Sequence, residues 1–176
     1  MSTLIVMCGV PGCGKSTFAK QFAKTHKDVK IVSRDAIRFS MVKSNEEYFK
    51  HEKEVLKRFY GDIDAALKVY EYVIADATHL SRSSRNALFR HVNTKGIFVV
   101  GLWIETPLST CLERNAGRSG RERVPNKVIK EAFKRKASPA KEERFDEMYF
   151  ISTQANLATG SAHPTFYTIE EILLTI

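Results

Sequence analysis

Gly9-Val10-Pro11-Gly12-Cys13-Gly14-Lys15-Ser16-Thr17 satisfies the spacing GxxxxGK[ST], with the apolar run Leu4 to Cys8 directly before it and a helix-forming stretch directly after. Each residue type there answers a demand of phosphate chemistry. Gly9, Gly12 and Gly14 let backbone N–H groups turn inward around anionic oxygens, and the helix that follows adds partial positive charge at its N-terminus. Lys15 brings a mobile cation for the β/γ phosphates. The Ser16 hydroxyl suits a magnesium ion that keeps most of its waters, and Thr17 supports the turn. Cys13 occupies a free position of the loop, where a thiol reagent would inhibit if the sulfur were exposed. Binding of a nucleoside triphosphate is expected.

A phosphate cradle does not say where the phosphate goes. Ser33-Arg34-Asp35-x-x-Arg38 follows a short Val/Ile run, and strand carboxyl ends form the ligand-binding edge of an open parallel sheet. Asp35 is placed to orient an attacking hydroxyl and take its proton, with Arg38 one helical turn on. The same residues also read as a helix cap with surface ion pairs. Asp76 closes the run Val73-Ile74-Ala75, where it would hold a magnesium-bound water or orient Lys15, Ser16 or Arg38; a local turn with Thr78 is the alternative. Arg114, Arg118, Arg121 and Arg123 surround a Gly-bearing loop and read either as a mobile lid over the transferring phosphate or as a solvated basic loop. A guanine-reading Asn-Lys-x-Asp segment is missing: Asn126-Lys127-Val128-Ile129 lacks the acid.

These residues need a scaffold, and the pattern predicts α/β. Apolar runs alternate with longer amphipathic stretches, as in strands feeding crossover helices. Strands are expected at Leu4 to Cys8, Lys30 to Ser33, Tyr72 to Asp76, Ile97 to Trp103 and Met148 to Ser152. Helices are expected at Lys15 to Lys27, Glu46 to Tyr70, Arg82 to Asn93, Pro107 to Asn115 and Thr168 to Ile176, the last with Thr168 as cap and Glu171 three residues on. A further amphipathic helix would bury Val128, Ile129, Ala132 and Phe133 and wet Lys127, Lys130 and Lys134.

The chain has 176 residues, which suits one domain, and 28 Lys+Arg against 20 Asp+Glu leave a formal charge of +8. A 43% hydrophobic content excludes disorder, and no run is long enough for a signal peptide or membrane anchor. Three cysteines without metal spacing suit a reducing cytoplasm. From Arg114 to Arg144 the net charge is +7, the footprint of a nucleic-acid backbone or the wet face of a helix. Phe39, Tyr48 and Phe49 are candidates to stack on an acceptor base or to pack in the core.

Together the blocks resemble the kinase domain of phage and bacterial polynucleotide 5′-hydroxyl kinases. Gly9 to Ala19, Ser33 to Arg38, Asp76-Ala-Thr-His-Leu with Arg82 and Arg85, and Arg114-Asn115-x-x-Arg118 leading to Val124-Pro125 carry the match, in order and at similar spacing. The resemblance implies a P-loop kinase fold, a mostly parallel sheet flanked by helices, with an Arg-rich lid at about 114–125. It implies ATP as donor, Mg2+ as cofactor and single-stranded or end-exposed nucleic acid as acceptor, with no membrane partner. By resemblance Lys15 and Ser16 bind phosphates and metal and Asp35 is the general base. Arg38 with Arg34 engages an acceptor phosphate, Asp76 supports that site, and Arg118 is the lid arginine on the donor. Arg121 and Arg123 compete for that last role because the loop is about one residue longer than the pattern. A small-molecule or nucleoside kinase, or an ATPase without a transferred product, remains the alternative. His79 has no assigned task and reads as a polar surface or turn residue rather than a proton shuttle. No DxDGT motif is present, so 3′-end repair is not expected of this chain.

Overall fold

Leu4, Val6 and Cys8 point to one face of β1 (Thr3–Cys8) while Ile5 and Met7 point to the other, and all five are fully buried in the computed structural model. A strand buried on both faces must lie inside a sheet covered twice, and it does. The structure describes residues 1–42, 50–152, 166–167 and 169–176. The chain runs β1, α1 (Lys15–Thr25), β2 (Val29–Ser33), α2 (Arg34–Met41), α3 (Glu52–Ala66), β3 (Tyr72–Asp76), α4 (Arg82–His91), β4 (Phe98–Glu105) and α5 (Leu108–Ala116). A 3-10 turn at Gly120–Glu122, α6 (Asn126–Arg135), β5 (Glu147–Ser152), β6 (Phe166–Tyr167) and α7 (Ile169–Thr175) follow. The strands form one parallel sheet in the order β2-β3-β1-β4-β5-β6.

Val55, Phe59 and Ile63 of α3 and Leu88 and Phe89 of α4 cover the first face of the sheet. Phe18 and Phe22 of α1, Cys111 of α5, Ile129 of α6 and Ile172 of α7 cover the second. Each such buried side chain contributes about 1.5–3 kcal/mol of transfer free energy, an upper estimate per residue. The result is a P-loop kinase fold, helix over sheet over helix, as expected.

Strand order decides where a site can form. The chain passes from central β1 outward to β2, returns to β3, then crosses to β4 on the other side, so the loops after β1, β3 and β4 diverge at one edge. Ser33 and Asp76 are register partners there, and Cys8 is paired with Trp103.

Several expected boundaries shift. β4 continues to Glu105 because Ile104 and Glu105 pair with Ile151 and Ser152 of β5. Helix α3 ends at Ala66 rather than Tyr70; the amides of Val69 and Tyr70 both turn back onto the Ala66 carbonyl in a tight final turn. β6 and the 3-10 turn were not expected. In α6, Ile129 is buried while Val128 is 46% exposed, because Val128 lies about 100° round the helix from the residue it was grouped with. The expected helix start at Glu46, the stacking candidates Tyr48 and Phe49, and the Thr168 cap lie outside the described residues. Among the described residues no helix is long and apolar enough to cross a membrane.

Candidate active site

The loop after β1 is held from behind as well as from within. Gly14 adopts φ 113° at the N-cap of α1, and Gly12 at φ 86° lies so close to α5 that a Cβ would stand 2.6 Å from the Cys111 carbonyl oxygen. Thr106 Oγ1 donates to the Cys13 carbonyl at 2.9 Å, and Arg114 Nη1 donates to the carbonyls of Cys13 and Gly12 at 3.2 and 3.4 Å. Gly9 N–H donates to Thr78 O at 2.9 Å, tying the loop to the end of β3. Lys15 is 8% exposed, and its Nζ donates to Gly9 O and Val10 O, both at 2.9 Å. The Cys13 sulfur is fully buried, 3.7 Å from that ammonium, so the thiol is not presented to a reagent at the loop surface.

Ser16, the second residue of α1, donates from its hydroxyl to Asp76 Oδ2 at 2.9 Å. Burial pushes the Asp76 carboxyl above the usual carboxylate range, against the opposing pull of Lys15 and Ser16. Of the partners expected for Asp76, Lys15, Ser16 and Arg38, the structure gives it the Ser16 hydroxyl, because β3 lies next to β1. The two hard oxygens fit Mg2+, which takes few protein ligands beside phosphate and water. Among the described residues no cluster of three or more His, Cys, Asp or Glu could hold a metal independently.

Helix α2 starts at the end of β2, next to Asp76. The Ser33 side chain caps it, accepting from Ala36 N–H at 3.4 Å. Asp35 is exposed, with its carboxylate paired to Arg38 Nη1. Arg38 is not a surface ion pair: its side chain is 5% exposed and donates from Nη2 to Glu52 Oε2 at 3.0 Å. Arg34 Nη2 meets the other oxygen of the same Glu52. Burial raises the Glu52 carboxyl, but two guanidinium partners outweigh it and hold the group below its usual range. Glu52, at the start of α3, was missed, since nothing in its local sequence distinguishes it from other helix-start acids.

His79 lies in the turn after β3, but it is not a surface residue. It is 6% exposed, with φ 39°, and its Nδ1 lies 2.9 Å from the Met7 carbonyl oxygen. A carbonyl only accepts, so Nδ1 carries the proton, and burial pushes the ring down to about 4, keeping it neutral. Behind it Arg85, 1% exposed, donates to His79 O and Ala137 O at 3.0 Å and pairs with Glu143. His79 and Arg85 thus brace the loop after β3.

The Gly/Arg loop springs from α5. Buried Asn115 closes its base: Nδ2 donates to Val124 O at 2.7 Å and Oδ1 accepts from Val124 N–H at 3.0 Å. Arg118 is half-buried and Arg123 exposed. Arg121 turns to α2, donating to the carbonyls of Phe39, at 3.0 Å, and Val42. Elsewhere in the positive segment Lys136 pairs with Glu105, and Arg135 pairs with Glu131 within the segment. Lys127, Lys130 and Lys134 remain exposed along α6.

A family model described as an AAA domain (AAA_33) matches residues 4–142. The chain is 31% identical over 150 residues to an L-seryl-tRNA(Sec) kinase of Methanococcus maripaludis, covering 81% of this chain and 56% of that protein. It spans about half the length of the curated relatives it matches. Among solved structures, a chain of the Pnkp1/Rnl/Hen1 RNA repair complex is 25% identical with TM-score 0.63, covering 76% of this chain and 43% of the other. A gluconokinase from Sinorhizobium meliloti 1021 shares the fold, with TM-score 0.58, 21% identity and coverage of 98% and 87%.

Proposed function

The chain belongs to the AAA_33 family, and on that premise we propose that it moves the γ-phosphate of ATP to the 5′-hydroxyl of a polynucleotide. The observation that carries the reading is the convergence of the Lys15–Ser16 loop, Asp76 and the Asp35 helix at one sheet edge, fixed by the Ser33–Asp76 register. A donor cradle and a carboxylate for the acceptor stand side by side.

Asp35 accepts the proton of the attacking hydroxyl, its exposure leaving it open to an incoming alcohol. Arg38, locked between Asp35 and Glu52, orients that carboxylate, and Arg34 at the same Glu52 is the more exposed guanidinium for an acceptor phosphate. Lys15 leaves its loop carbonyls for the γ-phosphate, and Arg118 on the 114–125 lid neutralises charge spread over the transferring group. Ser16 and Asp76 would hold Mg2+, which would supply positive charge to offset that of the phosphates.

A nucleic-acid acceptor is supported by the relative named for a tRNA substrate, by the RNA repair neighbour and by the wet lysine face of α6. A small-alcohol acceptor is the second reading, favoured by the inward pairing of Arg38, which leaves fewer cations facing a strand. Transfer from γ-labelled ATP separates them. A 5′-hydroxyl oligonucleotide should take label, its 5′-phosphorylated twin should not, and Asp35→Ala should take none. Label only on sugars or nucleosides would establish the second reading, and free phosphate alone an ATPase.

A further inference from the structure

Arg121 stands 79 residues from Val42 in sequence, yet its guanidinium closes the end of α2. Nη1 donates to Val42 O, Nη2 donates to Phe39 O at 3.0 Å, and the guanidinium carbon lies 4.8 Å from the centre of the Phe39 ring. The final turn of a helix presents carbonyls without intrahelical donors and carries partial negative charge, so a planar cation with two parallel donors is well matched to it. The last backbone bond of α2 runs from Val42 N–H to Arg38 O, so the cation sits one turn from Arg38.

The loop bearing Arg121 is fastened at its other end to the donor side. Arg114 holds the carbonyls of Gly12 and Cys13, and Asn115 closes the loop base on Val124. One short segment therefore joins the phosphate loop to the helix that carries Asp35.

We infer that Arg121 is a positioning residue: it latches the lid to the acceptor helix, so that the lid and Asp35 take up their places together. It is not a phosphate ligand. Its donors face helix carbonyls, and the donor-phosphate role falls to Arg118. With the latch made, the lid covers the transferring phosphate only when α2 is in register, which disfavours water as acceptor. With it broken, the lid and α2 fluctuate separately. The kinetic consequence rests on the phosphotransfer proposed above, whereas the structural consequence does not.

The test is Arg121→Ala, with Arg121→Lys and Phe39→Leu beside it. Hydrogen exchange followed by mass spectrometry should rise about fivefold or more in both 116–125 and 34–42 of Arg121→Ala, with the remainder of the chain unchanged. Phe39→Leu, which keeps bulk but removes the π face, should raise exchange in both segments less, and adding it to Arg121→Ala should add little. For the reaction, Arg121→Ala should lower kcat for transfer about tenfold, leave the nucleotide Kd within about twofold and raise acceptor-independent ATP hydrolysis; Arg121→Lys should recover part.

Exchange that rises in the lid alone overturns the latch. So does a tenfold weaker nucleotide Kd with α2 unchanged, which would make Arg121 a phosphate ligand. If the wild-type protein phosphorylates no acceptor but both segments loosen together in Arg121→Ala, the latch stands and the proposed function fails.

Discussion

Arg85 and Glu143, 58 residues apart in sequence, form a two-armed ion pair, Nε to Oε2 at 2.6 Å and Nη2 to Oε1 at 2.7 Å, with side chains 0% and 1% exposed. Ala140 N–H donates to the same carboxylate at 3.0 Å, so the segment after α6 is folded round Glu143. Burying two charges is costly, and removing one partner leaves the other uncompensated. Glu143→Ala should therefore destabilise the fold by about 3–5 kcal/mol, whereas Arg85→Met with Glu143→Leu together should cost much less. Denaturant melts of the three proteins decide it. The Glu143 carboxyl is held below its usual range by Arg85 and Ala140 N–H, against burial. This contribution is present above the unfolded-state carboxylate pKa and lost as pH falls through the lower folded value, so the stability gap between wild type and the double variant should narrow on the acid side.

On the proposed mechanism, variants of Asp35 and Lys15 should separate chemistry from binding. Asp35→Ala should lower transfer by about 100-fold to 10,000-fold, the usual reach of a general base, with nucleotide affinity little changed. Lys15→Ala should weaken both, because its ammonium lies inside the loop that cradles the phosphates. Nucleotide titration beside single-turnover transfer reads the two; loss of nucleotide binding in Asp35→Ala would remove Asp35 from the base role.

On the proposed reading the exposed lysines of α6 would set the salt dependence. If a single strand lies along it, replacing Lys127, Lys130 and Lys134 by Ala should flatten the slope of log affinity against log salt by about 2, at roughly 0.7 per phosphate contact. Arg38→Ala should leave that slope nearly unchanged, since Arg38 faces Asp35 and Glu52. An unaltered slope in the triple variant would point to a small acceptor.

All three thiols are fully buried, and burial pushes Cys8 up to about 12 and Cys111 up to about 11. Alkylation at pH 8 should be slow in the folded protein and complete in denaturant, with nucleotide adding little further protection to Cys13. Rapid stoichiometric labelling of Cys13 in the folded protein, blocked by nucleotide, would contradict its inward orientation.

Much of the scaffold was legible from local pattern. Tyr72 to Asp76 stood out because continuous Val/Ile/Ala runs ending in an acid suit a strand buried on both faces, and it is observed with those bounds. Gly9 to Thr17 was legible because phosphate chemistry demands particular residue types at consecutive positions, which leaves a dense local signature. Arg34, Asp35 and Arg38 were likewise visible as a block, although their partner was not. Glu52, Glu143 and the inward turn of His79 left no comparable mark. Glu52 meets Arg34 and Arg38, Glu143 meets Arg85, and His79 meets the Met7 carbonyl, 14 to 72 residues away, and a lone acid or imidazole looks the same whether it meets water or such a partner.

The sequence by itself determined the α/β alternation, the loop between β1 and α1, and that Asp76 ends its strand, because those depend on periodicity and on neighbours a few residues apart. Only the tertiary structure decided that Asp76 meets Ser16, that Arg38 is held by Glu52, and that Arg121 reaches α2. Strand order and helix packing bring together residues 14 to 82 positions apart, and the orientation of each charge follows from desolvation and the partner it finds there.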